Sequence, residues 1–232
     1  MKNEKVEKLL SKKEYDFNDL CLIMEILRGK DGCPWDAEQT HESIRKNFIE
    51  ETYEVIEAID NNDSKLLREE LGDVLLQVVF HSQMEREAGN FDINDVANDV
   101  CTKLIHRHPH IFGDVSASTA DEVLTNWEAI KNIEKSRETM YDKLTSIPPM
   151  TPSLMRASKV SKKSGEFKEM NNVEIIDDIN KMLNNVKNNG GNISASEMGE
   201  VLFLLSAVAV KCDIDPEESL YKKTNSFIEK YK

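Results

Sequence analysis

The sequence is poor in the residues that interrupt helices, with nine glycines and six prolines among its 232 residues. Folds built from many short strands depend on turns, and turns depend on glycine and proline. Apolar residues make up 39% of the chain, which is enough to form a buried core. The scarcity of turn residues therefore favours an all-α fold with long helices.

Closely spaced cysteines and long apolar runs are also lacking. The four cysteines are widely separated and none forms a CxxC pair, which disfavours a zinc ribbon or a dithiol redox motif. The longest apolar run, residues 201–210, is too short to span a bilayer. The first 15 residues are charged throughout and do not resemble a signal peptide. We therefore expect a cytoplasmic protein with no membrane partner.

Positive charge is in the minority, because 43 acidic residues outnumber 30 basic ones and the net charge is −13. Nucleic-acid backbones attract basic surfaces, so no nucleic-acid partner is expected. A phosphate ligand remains compatible with this charge, since a bound cation can invert the local field.

Two short acidic segments stand out within residues 48–81. The first is Glu50-Glu51-Thr52-Tyr53-Glu54, and the second is Glu70-Leu71-Gly72-Asp73. Residues three apart are neighbours on a helix surface, so each segment offers a pair of adjacent carboxylates. Mg²⁺ prefers oxygen ligands, and four carboxylates would repel one another without a cation. An acidic helix face exposed to solvent, with no bound metal, is the alternative interpretation. A di-iron site in a helical bundle is disfavoured, because it would need Glu-x-x-His pairs that are missing here.

Helical periodicity assigns both acidic segments to the edges of apolar stripes. On the predicted helix 43–59 the stripe is Phe48, Thr52, Val55 and Ile59, and on the predicted helix 65–87 it is Leu67, Leu71, Val74, Val78 and Ser82. The carboxylates are therefore predicted to flank the core.

Basic and aromatic residues suggest how a phosphorylated ligand would be held. Lys103 and Arg107 lie one helical turn apart and could clamp phosphate oxygens, although an exposed basic face is an equal alternative. Trp35, in the loop predicted for residues 28–40, could stack on a base or cap the core.

The second half of the chain repeats part of the first. Leu71-Gly72-Asp73-Val74-Leu75 recurs 127 positions later as Met198-Gly199-Glu200-Val201-Leu202. The same shift places Glu51 on Asp178, Glu54 on Lys181 and Glu70 on Glu197, and a shift of 123 places Lys103 on Ser226 and Arg107 on Lys230. This pattern indicates a duplicated helical module whose second copy has lost part of the site.

The predicted domains are a first module at 1–144, a proline-rich linker at 145–152 and a second module at 153–232. The helices predicted outside residues 43–87 are 17–27, 94–107, 120–137, 153–163, 173–188, 196–211 and a last helix that begins at Pro216 with Asp215 as its N-cap.

Several motifs together resemble the MazG family of all-α nucleoside triphosphate pyrophosphohydrolases. They are Cys33-Pro34-Trp35-Asp36 with Gln39-Thr40, the two acidic segments, Arg107-His108-Pro109-His110, and Asn126-Trp127-Glu128 with Lys131. The resemblance covers nearly the whole chain. It implies duplicated helical-bundle modules, a homodimer, and hydrolysis of a nucleoside triphosphate to the monophosphate and pyrophosphate.

The resemblance also implies roles for single residues. The metal ligands would be Glu51, Glu54, Glu70 and Asp73, holding Mg²⁺ with Mn²⁺ as a possible substitute. Substrate contacts would come from Trp35, Lys103, Arg107 and Lys131. The second copy departs from the family pattern at Asp178, Lys181, Glu197 and Glu200, so activity is expected in the first module.

In the expected mechanism a metal-activated water attacks the α-phosphorus and pyrophosphate leaves. Glu50 or Glu54 would accept the proton, and Lys103 and Arg107 would stabilise the leaving group. The alternatives are a non-catalytic nucleotide-binding or scaffold protein and an enzyme restricted to one abnormal nucleotide. Nucleotide-pool cleaning or regulation is the expected role.

Overall fold

The computed structural model describes residues 4–135 and 138–231, and these ranges contain helices and no β-strand. The predicted all-α fold is confirmed. Within the described ranges the helices are α1 (Glu4–Leu10), α2 (Phe17–Arg28), α3 (Pro34–Glu38), α4 (Arg45–Asp60), α5 (Ser64–Ala88), α6 (Ile93–Arg107), α7 (Pro109–Phe112), α8 (Ala120–Glu134), α9 (Met140–Thr145), α10 (Ser153–Ser164), α11 (Asn172–Asn188), α12 (Ala195–Lys211) and α13 (Pro216–Ile228), followed by a 3₁₀ turn at Glu229–Tyr231. None of them is both long and apolar enough to cross a membrane.

Polar side chains fix where the main helices begin. Asp16, Asp63 and Asp92 each accept hydrogen bonds from backbone N–H groups in the first turn of α2, α5 and α6. Such bonds satisfy donors that have no partner inside the helix. The segment 28–40, predicted as a loop, contains the short helix α3. The predicted helix 120–137 is seen as α8, and its last two residues lie outside the described ranges.

The chain divides into two compact units, residues 1–116 and residues 117–232. In the first unit α5 is central and packs against α2, α4 and α6. Its core consists of Met24, Ile44, Val79, Phe80 and Met84. The long helix α5 therefore carries three of these core residues, Val79, Phe80 and Met84, as well as the second acidic segment.

The faces that α4 and α5 bury differ in part from the predicted stripes. Ala58 is the one fully buried residue of α4, while Ile59 is 54% exposed. On α5 the buried residues include Glu70 and Gln77, while Leu71 is 52% exposed. The rest of each stripe apart from Thr52 is half-buried or buried, so periodicity found the inward side of both helices but did not predict that two polar residues of α5 are buried with it.

In the second unit α12 packs against α10 and α11. Its core is built from Ile175 and Ile179 of α11 and Val201 and Leu204 of α12. The predicted linker, residues 145–152, lies within this unit, where Ile147 is 6% exposed. The predicted module boundaries at 144 and 153 stay a prediction.

Candidate active site

A cluster of carboxylates lies where α4 packs against α5. Glu51, Glu70 and Asp73 each offer an oxygen atom, and these atoms all lie within 4.8 Å of one another. Glu70 is 8% exposed, whereas Glu51 and Asp73 are half-buried. Glu51 comes from one helix and the other two from its neighbour, so the packing of α4 on α5 assembles the cluster.

Burial and mutual repulsion make the cluster electrostatically unfavourable when it is fully ionised. Burial is the largest cause that raises the pKa of Glu51, followed by the negative charges of Asp73 and Glu54. Burial also raises the pKa of Glu70, and the charge of Glu54 and a hydrogen bond to it add to the effect. A cation would relieve both effects, because it favours the ionised form of each ligand.

Glu54 and Glu50 border the cluster from α4. Glu54 is exposed, yet it is close enough to hydrogen-bond with Glu51 and Glu70 and to raise the pKa of both. Glu50 is exposed and makes the last of the contributions that raise the pKa of Glu51. The cluster therefore consists of one buried and two half-buried acids, with two more acidic groups at its exposed edge.

The basic residues predicted to bind substrate lie on other elements. Lys103 and Arg107 are one turn apart on α6, with Lys103 exposed and Arg107 5% exposed. Among the described residues Lys103 makes no ion pair with the carboxylates. Lys131 belongs to the second unit, where its ammonium lies 4.4 Å from the centroid of the Trp127 ring.

Trp35 is 58% exposed on α3, and the buried guanidinium of Arg28 anchors this short helix. Nη1 of Arg28 donates to the carbonyl of Asp36 at 2.6 Å and to that of Gln39 at 3.2 Å. Nη2 pairs with Glu87 of α5 at 2.8 Å. Arg28 therefore ties the exposed indole to the same helix that carries Glu70 and Asp73.

The matching positions of the second unit have other partners. Lys181, which stands where the first unit has Glu54, pairs with Asp178 at 2.7 Å. Glu197, which stands where the first unit has Glu70, accepts bonds from Ser194 N at 2.8 Å and Ser194 Oγ at 2.7 Å. These bonds lower the pKa of Glu197, whereas the pKa of Glu70 is raised. In the second unit Lys181 therefore compensates the charge of Asp178, and the N-terminus of α12 compensates the charge of Glu197.

Sequence reasoning missed a hydrogen-bonded row of three side chains, His41, His81 and Glu85. The Nδ1 atoms of the two histidines are 2.7 Å apart, and His41 Nε2 is 2.7 Å from Glu85 Oε1. Burial lowers the pKa of His81, and the charge of His41 lowers it further. His81 follows Glu70, Asp73 and Gln77 at helical spacing along α5, so the three linked side chains continue a row of polar residues that begins in the cluster. No sequence pattern joins His41 to it, because the partners are 40 residues apart.

Comparison with known proteins is consistent with these features. Residues 39–112, which include the whole cluster, match the MazG nucleotide pyrophosphohydrolase domain. A Thermotoga maritima protein described as nucleoside triphosphate pyrophosphohydrolase/pyrophosphatase MazG is 40% identical over 221 residues, covering 93% of this chain and 84% of that protein.

Two further relatives match over shorter stretches. The nucleoside triphosphate pyrophosphohydrolase of Escherichia coli K12 is 48% identical over 145 residues, which are 62% of this chain and 55% of that protein. The uncharacterized protein YabN of Bacillus subtilis is 45% identical over 160 residues, which are 68% of this chain and 32% of that protein. The chain thus aligns with about half of the E. coli protein and a third of YabN.

Proposed function

Because the chain belongs to the MazG nucleotide pyrophosphohydrolase family, we propose that it hydrolyses nucleoside triphosphates to nucleoside monophosphates and pyrophosphate at the carboxylate cluster of its first unit. The observation that supports this most strongly is the convergence of three carboxylate oxygens within 4.8 Å, inside the matched domain. Nucleotide-pool cleaning or regulation in the cytoplasm is the proposed setting.

The cluster fits a hard divalent cation. Its donors are carboxylate oxygens, and burial together with the neighbouring acids raises the pKa of Glu51 and Glu70, an effect that a bound cation would offset. We propose Mg²⁺ held by Glu51, Glu54, Glu70 and Asp73, with Mn²⁺ as a substitute. When bound, the cation would offset the triphosphate charge and lower the pKa of a water molecule.

The protein's own groups would move the proton and hold the substrate. Glu50 or Glu54 is proposed to accept the proton of the attacking water, since both lie at the exposed edge of the cluster. Lys103 and Arg107 are proposed to bind the triphosphate oxygens.

One residue on another helix of the first unit is a further proposed substrate contact. Trp35 presents a largely exposed indole on which a base could stack. The substrate contact predicted for Lys131, which belongs to the second unit, stays a prediction.

The second unit is proposed to have no catalytic site. Two of its three acids at the matching positions are compensated, Asp178 by Lys181 and Glu197 by the N-terminus of α12. Among the described residues, the one group suited to a metal ion lies in the first unit. A non-catalytic nucleotide-binding protein remains the alternative function, and turnover distinguishes the two.

Product analysis of purified variants tests the assignment. Glu54→Gln and Asp73→Asn are expected to lower turnover of a nucleoside triphosphate by at least about 100-fold, because a metal supplies several kcal/mol of transition-state stabilisation. Glu57→Gln serves as the matched control, since Glu57 is an exposed acid one turn beyond Glu54 on the same helix.

A second control addresses the other unit. The double variant Asp178→Asn with Lys181→Met is expected to turn over like the wild type. Wild-type turnover in Asp73→Asn would show that the cluster is not the active site. Loss of turnover in the double variant would assign catalysis to the second unit.

A further inference from the structure

A pocket in the second unit gathers four lysines in a protein whose net charge is −13. Its volume is about 450 Å³. It is lined by Lys131, Lys159, Lys162 and Lys163, together with Glu128, Ser146, Ile147 and Pro148. We call it the lysine pocket.

Two helices supply the positive charges. Lys159, Lys162 and Lys163 share one face of α10, because residues three and four apart are neighbours on a helix. Lys131 comes from α8. The lysines that line the pocket thus come from two different helices, α8 and α10.

The three lysines of α10 are not matched by close acidic partners among the described residues. Among the described residues, Lys159, Lys162 and Lys163 make no ion pair within 4.0 Å. The acid that lines the pocket, Glu128, lies 3.9 Å from Lys131. The like charges of the three α10 lysines repel one another, and a concave surface on which positive charge predominates concentrates anions.

We propose that the lysine pocket binds an inorganic polyphosphate anion, with pyrophosphate as its smallest member. Lysine binds phosphate as a compact point charge with three donors, so several lysines can each take a different phosphate oxygen. Linked phosphate groups match charges presented by two helices better than a single phosphate does. The site needs none of the carboxylates of the first unit, so it does not depend on the proposed hydrolysis.

The binding of sodium pyrophosphate, in EDTA and with no nucleotide present, tests the proposal. Titration calorimetry measures the affinity, and tryptophan emission reports the location. Trp127 lies beneath the ammonium of Lys131, and Trp35→Phe removes the other tryptophan of the chain. Wild-type protein is expected to bind pyrophosphate at least about tenfold more tightly than inorganic phosphate, with a change in Trp127 emission.

Charge-matched variants separate a defined site from general attraction. The triple variant Lys159→Gln, Lys162→Gln and Lys163→Gln is expected to lose at least about tenfold in pyrophosphate affinity. The control variant Lys13→Gln, Lys187→Gln and Lys223→Gln removes the same charge from exposed positions outside the pocket and is expected to bind within about twofold of the wild type. Replacing the three pocket lysines by arginine keeps the charge and is expected to retain binding.

Three results would overturn the proposal: no binding of pyrophosphate by the wild type, equal affinity for pyrophosphate and phosphate, or equal loss in the two glutamine variants. Circular dichroism of each variant verifies that its helices remain folded. Because no turnover is measured, failure of the proposed hydrolysis would leave these outcomes unchanged.

Discussion

The raised pKa values of Glu51 and Glu70 make the stability of the cation-free protein depend on pH. A carboxyl group whose pKa is higher in the folded state holds its proton more tightly there than in the unfolded chain. Stability from this source is therefore present at low pH. It is lost as the pH rises from the ordinary value of 4.5 through the raised folded value. Above that window the ionised acids repel one another until a cation binds.

We therefore predict that Mg²⁺ raises the melting temperature more at about pH 7.5 than at about pH 5, because protons compete with the cation for the carboxylates. Glu70→Gln should melt higher than wild type in EDTA at the higher pH and should respond less to Mg²⁺. Differential scanning fluorimetry measures both effects, with Glu57→Gln as the control. The same Mg²⁺ response at the two pH values would contradict the assigned cause.

The spacing of residues along the sequence was sufficient to predict the carboxylates of the cluster, but not every side chain of the polar row beside it. Two i, i+3 pairs predicted Glu51, Glu54, Glu70 and Asp73 as neighbours. The structure brings oxygens of Glu51, Glu70 and Asp73 within 4.8 Å of one another and leaves Glu54 at their exposed edge. Whether they bind metal stays a prediction. The different environment of Glu197 was also readable, since Ser194 three residues earlier forms the capping-box pattern. The contact of His41 with His81 could not be predicted from the sequence, because it forms only when the chain folds.

At the scale of helices, long periodic segments could be predicted, whereas short ones could not. The helices α4, α5, α6 and α12 lie within a few residues of their predicted bounds. The short helices α3, α7 and α9 have four to six residues each, too few to show a period. Arg28 holds α3 through tertiary contacts to the carbonyls of Asp36 and Gln39, and propensity does not encode such contacts.

Two glycines of α5 should respond oppositely to alanine. Gly72 lies inside the helix, and an added Cβ would meet nothing within 4 Å beyond the helix's own backbone. Gly72→Ala should stabilise the protein by about 0.5–1 kcal/mol. Gly89 ends the helix with φ +76°, so Gly89→Ala should destabilise it by about 1–2 kcal/mol.

Urea unfolding measures both free energies. Gly199→Ala in α12 provides a second helix-interior case, since the space around its added Cβ is also open. Destabilisation by Gly72→Ala would indicate that a partner molecule packs closely against this face of α5 in solution.

At the scale of the whole molecule, the first unit leaves apolar surface uncovered. Ile49, Tyr53 and Ile56 form one exposed face of α4, at 53%, 57% and 43% exposure. Leu71 and Leu75 of α5 are exposed by 52% and 39%. Residues four and seven apart share a helix face, so the exposed side chains line up along α4 and along α5. We call these two rows together the apolar stripe. Larger apolar patches on a folded surface mark interaction sites.

We propose that this stripe is covered by a second copy of the chain in a homodimer. A dimer would explain why α4 carries apolar residues on a second side, since one face packs on α5 and the other would contact the partner. Ile56→Glu combined with Leu71→Glu should shift the protein to monomer, because buried unpaired carboxylates oppose association. Light scattering coupled to size exclusion measures the mass. Leu10→Glu, at an exposed leucine of α1, should leave the dimer intact. A monomeric wild type at micromolar concentration would disprove the dimer, and a dimeric double variant would assign its interface elsewhere.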